Sequence, residues 1–303
     1  MSKAEMEQVR AFLTASPADL SLADLRAMYD SLGTMFPTPD DVAHERLEVG
    51  GVAAEWSVPP GAAKDRAILY LHGGGYAIGS IASHRHLVAA LARAAGTRAL
   101  ALDYRLAPEH AFPAAVDDAL AGYRFLLANG FSADRIAVAG DSAGGGLTVA
   151  TLLAARAAGL PQPACGFCIS PWVDLEGLGE SMTTKAAVDP MVQLDTLSGW
   201  AGIYLNGASA KTPLASPLHA DLTGLAPLLI HVGSAETLLD DATRLATRAA
   251  AADVDVRLES WPEMIHVWHF FHPMLSEGRD AITVAGDYIR ARVDQARELS
   301  AAA

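Results

Sequence analysis

The sequence contains few cysteines and no long apolar run. Its two cysteines, Cys165 and Cys168, lie three positions apart, and no second pair or nearby histidine cluster completes a metal or redox site. No apolar run approaches the roughly 18 residues that a membrane-spanning helix needs. The first residues also lack the apolar stretch of a secretory leader. We therefore expect two core cysteines in a protein of the reducing cytoplasm, without stable membrane insertion.

Positive charge is scarce too. Lysine and arginine total 22 against 35 aspartates and glutamates, and the formal net charge is −13. Nucleic acids and anionic membrane surfaces bind proteins through basic patches, so neither is expected as a partner. Hydrophobic residues, in contrast, make up 51% of the chain, which is enough for one large core in a protein of this length.

The apolar residues form short runs separated by amphipathic stretches. The runs, which predict strands, cover residues 67–71, 99–104, 136–140, 165–170, 227–233 and 256–261. The amphipathic stretches, which predict helices, cover residues 84–95, 113–128, 143–158, 240–252 and 280–298. Residues 44–60 alternate around Gly50-Gly51 and predict a hairpin. This order is typical of an α/β fold with a mostly parallel sheet covered by helices on both faces.

Two regions do not follow this order. Residues 4–15 and 19–34 have helical apolar spacing, and residues 176–215 contain helical pieces without a good strand. Open α/β sheets bind ligands at the carboxyl ends of their strands. We therefore expect both regions to fold together as a cap over that edge of the sheet.

A nucleophile motif follows the third apolar run. Residues 140–144 read Gly-Asp-Ser-Ala-Gly, a G-x-S-x-G pattern between a predicted strand and a predicted helix. A serine at such a tight turn needs neighbours without side chains, which Gly140 and Gly144 supply. The amide dipoles of the following helix also stabilise negative charge near its N-terminus. The pattern predicts Ser142 as the nucleophile of a hydrolase.

Three glycines follow the first apolar run. His72-Gly73-Gly74-Gly75 leaves backbone N–H groups unshielded, which suits stabilisation of a tetrahedral oxyanion. Together with the residue after the nucleophile, this loop predicts Gly74, Gly75 and Ala143 as oxyanion donors. His72 is interpreted as structural, because its neighbours act through the main chain.

A base and an orienting acid must accompany the nucleophile. In hydrolases with this motif the acid and then the histidine follow the serine, so the late His266 is the predicted base. His269 and His272 follow at three-residue intervals, but their spread is too wide for one ion and no HExxH motif is present. No metal is expected.

Three carboxylates compete for the role of the acid. Asp240 and Asp241 open a predicted helix, where acidic side chains commonly cap the helix or complement its dipole. Glu236 lies in the loop immediately after the run at 227–233, and its longer side chain can still reach an imidazole. We favour Glu236 and keep Asp240 as the alternative.

These motifs resemble those of the bacterial hormone-sensitive-lipase-like esterases, family IV of the lipolytic α/β-hydrolases. The resemblance lies in HGGG at 72–75, DYRLAPEHAFPAAVDD at 103–118, GDSAGGG at 140–146 and MIHVW at 264–268. It implies the α/β-hydrolase fold, with a mostly parallel eight-stranded sheet and a helical cap. It also implies a carboxylesterase that uses no cofactor and acts on small-molecule esters of short to medium acyl chain. A homodimer through the last strand is a further expectation from relatives.

The resemblance also divides the chain. Residues 1–42 form the N-terminal part of the cap, residues 176–215 form the cap insertion, and residues 43–175 with 216–303 form the catalytic domain. Many members carry Asp-Pro-Leu at the acid position, where this chain reads Glu236-Thr237-Leu238.

The substrate pocket is less clearly marked in the sequence. The residues predicted to line an apolar acyl site are Tyr29, Met35, Phe36 and Trp172, with Trp200 and Tyr204 as further candidates. The same catalytic residues would also serve a lactone or amide hydrolase, and the fold also serves non-catalytic ligand-binding proteins. Both alternatives stay open at this point.

Overall fold

The computed structural model of the protein describes residues 3–14 and 20–301. Its strands are β1 (Ala43–Val49), β2 (Val52–Val58), β3 (Ala63–Leu71), β4 (Thr97–Leu102), β5 (Ile136–Asp141), β6 (Cys165–Ile169), β7 (Leu228–Gly233) and β8 (Val256–Trp261). They form one eight-stranded sheet in the order β1-β2-β4-β3-β5-β6-β7-β8. The β1–β2 hairpin and the β2–β4 pair are antiparallel, and the remaining pairs are parallel. The predicted fold class is confirmed.

Helices cover both faces of the sheet. They are α1 (Lys3–Thr14), α2 (Leu22–Met35), α3 (Ile81–Ala95), α4 (Ala114–Ala128), α5 (Ala143–Ala157), α6 (Ser181–Thr184), α7 (Leu194–Leu205), α8 (Leu239–Ala251) and α9 (Ser276–Ala301). On one face, Leu69 and Leu71 of β3 join buried side chains of α4, α5 and α8. On the other face, Ile68 and Tyr70 join those of α3 and α9. Neighbouring residues of a strand thus face opposite cores, as the pleat of a sheet requires.

The two cysteines of β6 follow the same alternation. Cys165 belongs to the core on the α3 and α9 face, Cys168 belongs to the opposite core, and both are buried free thiols. Burial raises the pKa of the Cys165 thiol to about 12, because a thiolate there would lose its hydration. The pair lies in the core, as the strand pattern predicts.

The N-terminal region outside the α/β order is bound to loops of the sheet. Arg26 of α2 donates hydrogen bonds to the backbone oxygens of Ala77 and Ala107. Its guanidinium also pairs with both carboxylate oxygens of Glu109, at 2.8 Å each. These contacts fasten α2 to the loops that follow β3 and β4. The boundaries of the cap stay a prediction.

Two features of the described residues concern membranes and partners. None of their helices combines the length and the apolar character needed to cross a bilayer.

The strand β8 lies at one edge of the sheet, and its Leu258 is 36% exposed. This edge is the one that the expected homodimer would use, and both the dimer and the cytoplasmic location stay predictions.

Candidate active site

The serine of the G-x-S-x-G motif occupies a sharp turn. β5 ends at Asp141 and α5 begins at Ala143, so Ser142 alone connects them, with φ 53° and ψ −119°. A positive φ is strained for a residue with a side chain, and such strain occurs mostly at functional sites. The Ser142 N–H donates to the Ile169 oxygen over 2.8 Å, which ties the turn to β6.

Close packing explains the two glycines of the motif. A Cβ atom at Gly144 would lie 1.9 Å from the Leu71 oxygen, and one at Gly140 would lie 2.3 Å from the Gly144 oxygen. Both distances are far shorter than an ordinary van der Waals contact of about 3.5–4.0 Å. The start of α5 therefore meets the end of β3 backbone to backbone. This contact brings Ser142 to the loop that follows β3.

The loop after β3 presents unshielded amides. Gly74 and Gly75 have φ values of 116° and 59°, and a Cβ atom at Gly74 would lie 2.2 Å from the Ile78 oxygen. Conformation and space thus both require glycine at position 74. Within the described residues, neither N–H group has a hydrogen-bond partner. The Ala143 N–H lies in the first turn of α5, where amides have no partner inside the helix. All three predicted donors are therefore available to an anion.

Asp141 holds this loop against the serine turn. Its buried carboxylate accepts hydrogen bonds from the Tyr70 hydroxyl at 2.8 Å and from the Gly73 N–H at 3.1 Å. The second carboxylate oxygen lies 3.3 Å from His84 Nε2. Burial acts to raise the pKa of Asp141, but the charge and hydrogen bond of His84 and the Tyr70 hydroxyl outweigh burial, and the pKa is lowered. Sequence reasoning missed this role, although Asp141 lies inside the motif.

The predicted base and the favoured acid are in contact. His266 Nδ1 lies 3.2 Å from Glu236 Oε2, and both side chains are buried. Glu236 Oε1 accepts a hydrogen bond from the Gly233 N–H at 3.3 Å. Ser170, whose oxygen accepts from the Val267 N–H at 3.1 Å, acts to lower the pKa of Glu236. These contacts orient the carboxylate toward the imidazole.

Burial and charge act in opposite directions on this pair. Burial raises the pKa of Glu236, and the hydrogen bond and charge of His266 reduce that rise without cancelling it. Burial acts to lower the pKa of His266, but the hydrogen bond to Glu236 opposes it. The negative charges of Glu236, Asp189 and Asp141 act in the same direction as this hydrogen bond, and the pKa is raised. The surroundings therefore stabilise the imidazolium that forms when His266 takes a proton.

The other two candidate acids have different partners. Asp240 Oδ2 accepts a hydrogen bond from the Ser181 N–H at 2.9 Å. Asp241 Oδ2 accepts from the Val173 and Asp174 N–H groups, each at 2.9 Å, and burial raises the pKa of Asp241 to about 7. Neither carboxylate bonds to the imidazole within the described residues. The geometry therefore favours the glutamate.

The two histidines that follow His266 at three-residue intervals also have other partners. His269 Nε2 lies 3.0 Å from His231 Nδ1, and both rings are fully buried. The His272 ring stacks on His86, with 5.4 Å between the ring centroids. Burial lowers the pKa of His269 well below its usual range, so this ring is neutral near pH 7.

A group of metal-ligand atoms lies at the base of the 176–215 region. Asp174, Glu176 and His219 each place one such atom within 4.8 Å of the others. Arg244 pairs with Asp174 at 2.6 Å, and Lys211 lies 3.6 Å from Glu176. We interpret the group as an ion-pair network that joins the two ends of the region, because cations already neutralise its carboxylates.

Ser142 and His266 line one cavity of about 310 Å³. Gly74, Gly75 and Asp141 also line it. Most of its apolar wall comes from the N-terminal helices and from the 176–215 region, through Phe12, Leu13, Leu25, Met28, Tyr29, Leu32, Pro190, Met191, Val192, Leu197 and Trp200. The segments after β3 and β8 add Ile78, Val267, Phe270 and Phe271. Within the described residues, Ser142 Oγ makes no hydrogen bond to the imidazole, and such catalytic bonds often tighten only when substrate is bound.

The predicted wall residues are only partly those that the structure places there. Tyr29 and Trp200 line the cavity, whereas Met35 and Phe36 do not. Met35, at the end of α2, is 55% exposed, and Phe36 is buried against Phe12 behind the wall. The apolar character of these two residues did not show whether they line the cavity or lie elsewhere, because residues of the core are apolar as well.

Trp172 and Tyr204 likewise lie outside the lining. Tyr204 stacks on Tyr76 at 3.8 Å between ring centroids, and the Trp172 ring lies 6.0 Å from the same tyrosine. Sequence reasoning missed Phe12 and the segment 190–192 as wall residues. The apolar spacing of α1 was the available signal for Phe12, and segment 190–192 carried none.

A family model described as an alpha/beta hydrolase fold matches residues 68–270. The chain belongs to this family. It is 49% identical to an acetyl-hydrolase of Streptomyces hygroscopicus, over 96% of this chain and 97% of the relative.

Solved structures of hydrolases resemble the whole chain. An esterase from the bacterial hormone-sensitive lipase family is 51% identical, with a TM-score of 0.94 and coverage of 97% of this chain and 99% of that chain. The protein EstE5, whose crystal was soaked by p-nitrophenyl butyrate, is 47% identical, with a TM-score of 0.93 and coverage of 97% of this chain and 100% of that chain. These neighbours confirm the resemblance to the bacterial hormone-sensitive-lipase-like esterases and the predicted carboxylesterase class.

The assignment of the acid leads to a test of this hydrolase. Glu236→Gln should lower kcat/KM for p-nitrophenyl butyrate by about 10³-fold or more, because a neutral amide no longer stabilises the imidazolium. Asp240→Asn is the matched control and should cost less than about 10-fold, because Asp240 bonds a backbone amide of the cap instead. Steady-state kinetics with thermal melting of both variants provides the measurement. The reverse ranking would transfer the role to Asp240.

Proposed function

We propose that the protein hydrolyses uncharged carboxylic esters of short to medium acyl chain through an acyl-enzyme on Ser142. His266 acts as the base and Glu236 as the acid that orients it. One observation carries the proposal: Ser142 and His266 line the same cavity, while the buried Glu236 lies 3.2 Å from the far nitrogen of the imidazole. A nucleophile, a base and an orienting acid are thus present in the required order.

In the acylation step, Ser142 Oγ attacks the ester carbonyl carbon. His266 Nε2 takes the hydroxyl proton, and Glu236 accepts the hydrogen bond of the Nδ1–H and stabilises the imidazolium. The carbonyl oxygen becomes an oxyanion, which the amides of Gly74, Gly75 and Ala143 stabilise. These amides are positioned before substrate arrives, so the transition state gains their hydrogen bonds without reorganisation.

Breakdown of the tetrahedral intermediate releases the alcohol. His266 gives its proton to the leaving oxygen, and the acyl group remains on Ser142. Water then enters, loses a proton to His266 and attacks the acyl carbonyl. Collapse of the second intermediate returns the proton to Ser142 and releases the acid, so the enzyme is unchanged after one turnover.

The size of the cavity supports a short to medium acyl chain. Its volume of about 310 Å³ is at the small end of ligand pockets, and its walls are largely apolar. The acetyl-hydrolase relative and the EstE5 crystal soaked by p-nitrophenyl butyrate agree with substrates of this size.

The charge of the cavity supports uncharged substrates. Its described lining contains no lysine or arginine, whereas Asp141 contributes a carboxylate. An anionic substrate would therefore lose its hydration without gaining an ion pair, and this costs several kcal/mol in a low-dielectric site.

The nucleophile provides the first test of the proposal. Ser142→Ala should lower kcat for p-nitrophenyl butyrate by about 10⁴-fold or more and should prevent labelling by a serine-directed phosphonate. Ser132→Ala, at an exposed serine, is the matched control and should keep full activity. Retained turnover in Ser142→Ala at an unchanged melting temperature would refute the nucleophile. Absence of both turnover and labelling in the unmodified protein would favour a ligand-binding role.

A pair of matched substrates tests the proposed substrate class. p-Nitrophenyl butyrate and the p-nitrophenyl monoester of succinate have acyl chains of equal length, but the second ends in a carboxylate. We expect kcat/KM for the charged ester to be lower by at least about 30-fold, because no lysine or arginine in the described lining compensates its charge. Equal values would contradict the selection of uncharged esters. A lactone and an anilide of butyric acid in the same assay would expose lactone or amide hydrolysis.

A further inference from the structure

Asp189 is a buried carboxylate at the edge of the substrate cavity. It is 4% exposed and directly precedes residues 190–192, which form part of the apolar wall. Its Oδ1 accepts hydrogen bonds from the Met191 N–H at 2.9 Å and from the Val192 N–H at 3.0 Å. One oxygen of the carboxylate thus holds the turn that shapes this part of the wall.

The second oxygen binds the segment that carries the proposed acid. Asp189 Oδ2 accepts hydrogen bonds from the Thr237 N–H at 2.8 Å and from Thr237 Oγ1 at 3.1 Å. Thr237 directly follows Glu236 in the chain. All four bonds are charge-assisted, which makes them stronger than bonds between neutral groups. The buried carboxylate of Asp189 therefore holds both the wall segment and the segment of the proposed acid.

The negative charge of Asp189 also reaches the catalytic pair. The charges with the largest effect on His266 are those of Glu236, Asp189 and Asp141, and each raises the pKa of His266 against the opposing effect of burial. The charge of Asp189 likewise raises the pKa of Glu236, after the larger effect of burial. Asp240, which links the cap to the same loop through the Ser181 N–H, is not among the largest influences on the pKa of either group.

We infer that Asp189 is a positioning residue of the active site, which orients Glu236 through Thr237 and keeps a second negative charge beside the Glu236–His266 pair. The inference rests on the proposed function and deepens it. No motif marks this residue, because it lies 47 positions before Glu236 in the region that lacks strands. Its role follows from contacts between two segments that only the fold brings together.

The charge makes the inference testable by pH. His266 acts as a base in its neutral form, so kcat/KM rises with pH through the pKa of His266. Asp189→Asn removes a negative charge that raises this pKa. We therefore expect the acidic limb of the profile for p-nitrophenyl butyrate to move to lower pH by about 0.5 or more. The plateau should fall by about 10-fold, because an amide cannot accept from all four donors.

A matched control separates charge from a general loosening of the cap. Asp240→Asn weakens the hydrogen bond to the Ser181 N–H, which also joins the cap to the acid segment, because a neutral amide oxygen accepts less strongly than a carboxylate. This variant should leave the acidic limb at the pH found for the unmodified protein. Thermal melting shows whether each variant is folded. If Asp189→Asn does not fold, Asp189→Ser carries the same expectation, because it removes the charge and keeps a small acceptor.

Two results would overturn the inference while leaving the proposed function intact. The first is an unchanged limb in the Asp189 variant, because a purely structural loss lowers kcat/KM equally at every pH. The second is an equal shift in Asp240→Asn, which would make the effect common to any cap contact. Turnover retained by Ser142→Ala, or a wild-type profile without an acidic limb, would instead refute the proposed function and the inference with it.

Discussion

The backbone contact between α5 and the end of β3 sets the geometry of the whole site. Gly144 lies so close to β3 that a Cβ atom there would be 1.9 Å from the Leu71 oxygen. This contact places the turn of Ser142 against the loop of Gly74 and Gly75. β3 and β5 are neighbouring parallel strands, so both segments lie at the carboxyl edge of the sheet, where α/β folds bind ligands. A side chain at position 144 would separate the serine from the amides.

Negative charge is concentrated around the imidazole in a buried setting. Asp141, Asp189 and Glu236 are 2%, 4% and 0% exposed. Burying carboxylates is costly unless hydrogen bonds replace the lost water. Here a backbone amide supplies such a bond to each of them, and hydroxyl groups supply further bonds to Asp141 and Asp189. The resulting field favours a proton on His266 and disfavours an anionic ligand, so the same charges bear on base strength and on substrate choice.

The cap and the sheet contribute different parts of the site. The proposed reacting groups follow strands of the sheet, since Ser142, Glu236 and His266 come after β5, β7 and β8. Most of the apolar wall comes from α1, α2 and the 176–215 region. Asp189 is a point where the two parts meet, because its sequence neighbours form wall while its carboxylate binds the segment of Glu236. Substitutions elsewhere in the wall can change the shape of the cavity without touching these bonds.

The sequence by itself determined the fold class, the sharp turn of Ser142 and the glycine loop after β3. These features depend on local properties, namely the period of the apolar residues and glycines at turns that exclude a side chain. The order of motif residues along the chain predicted His266 as the base. The tertiary structure decided the partners of the three carboxylates at positions 236, 240 and 241, which lie in one short segment and are chemically alike. It also placed Met35 and Phe36 outside the cavity and bound Asp189 to the residue that follows Glu236. Burial and hydrogen bonding arise from packing between segments far apart in the chain, so no local pattern could reveal them.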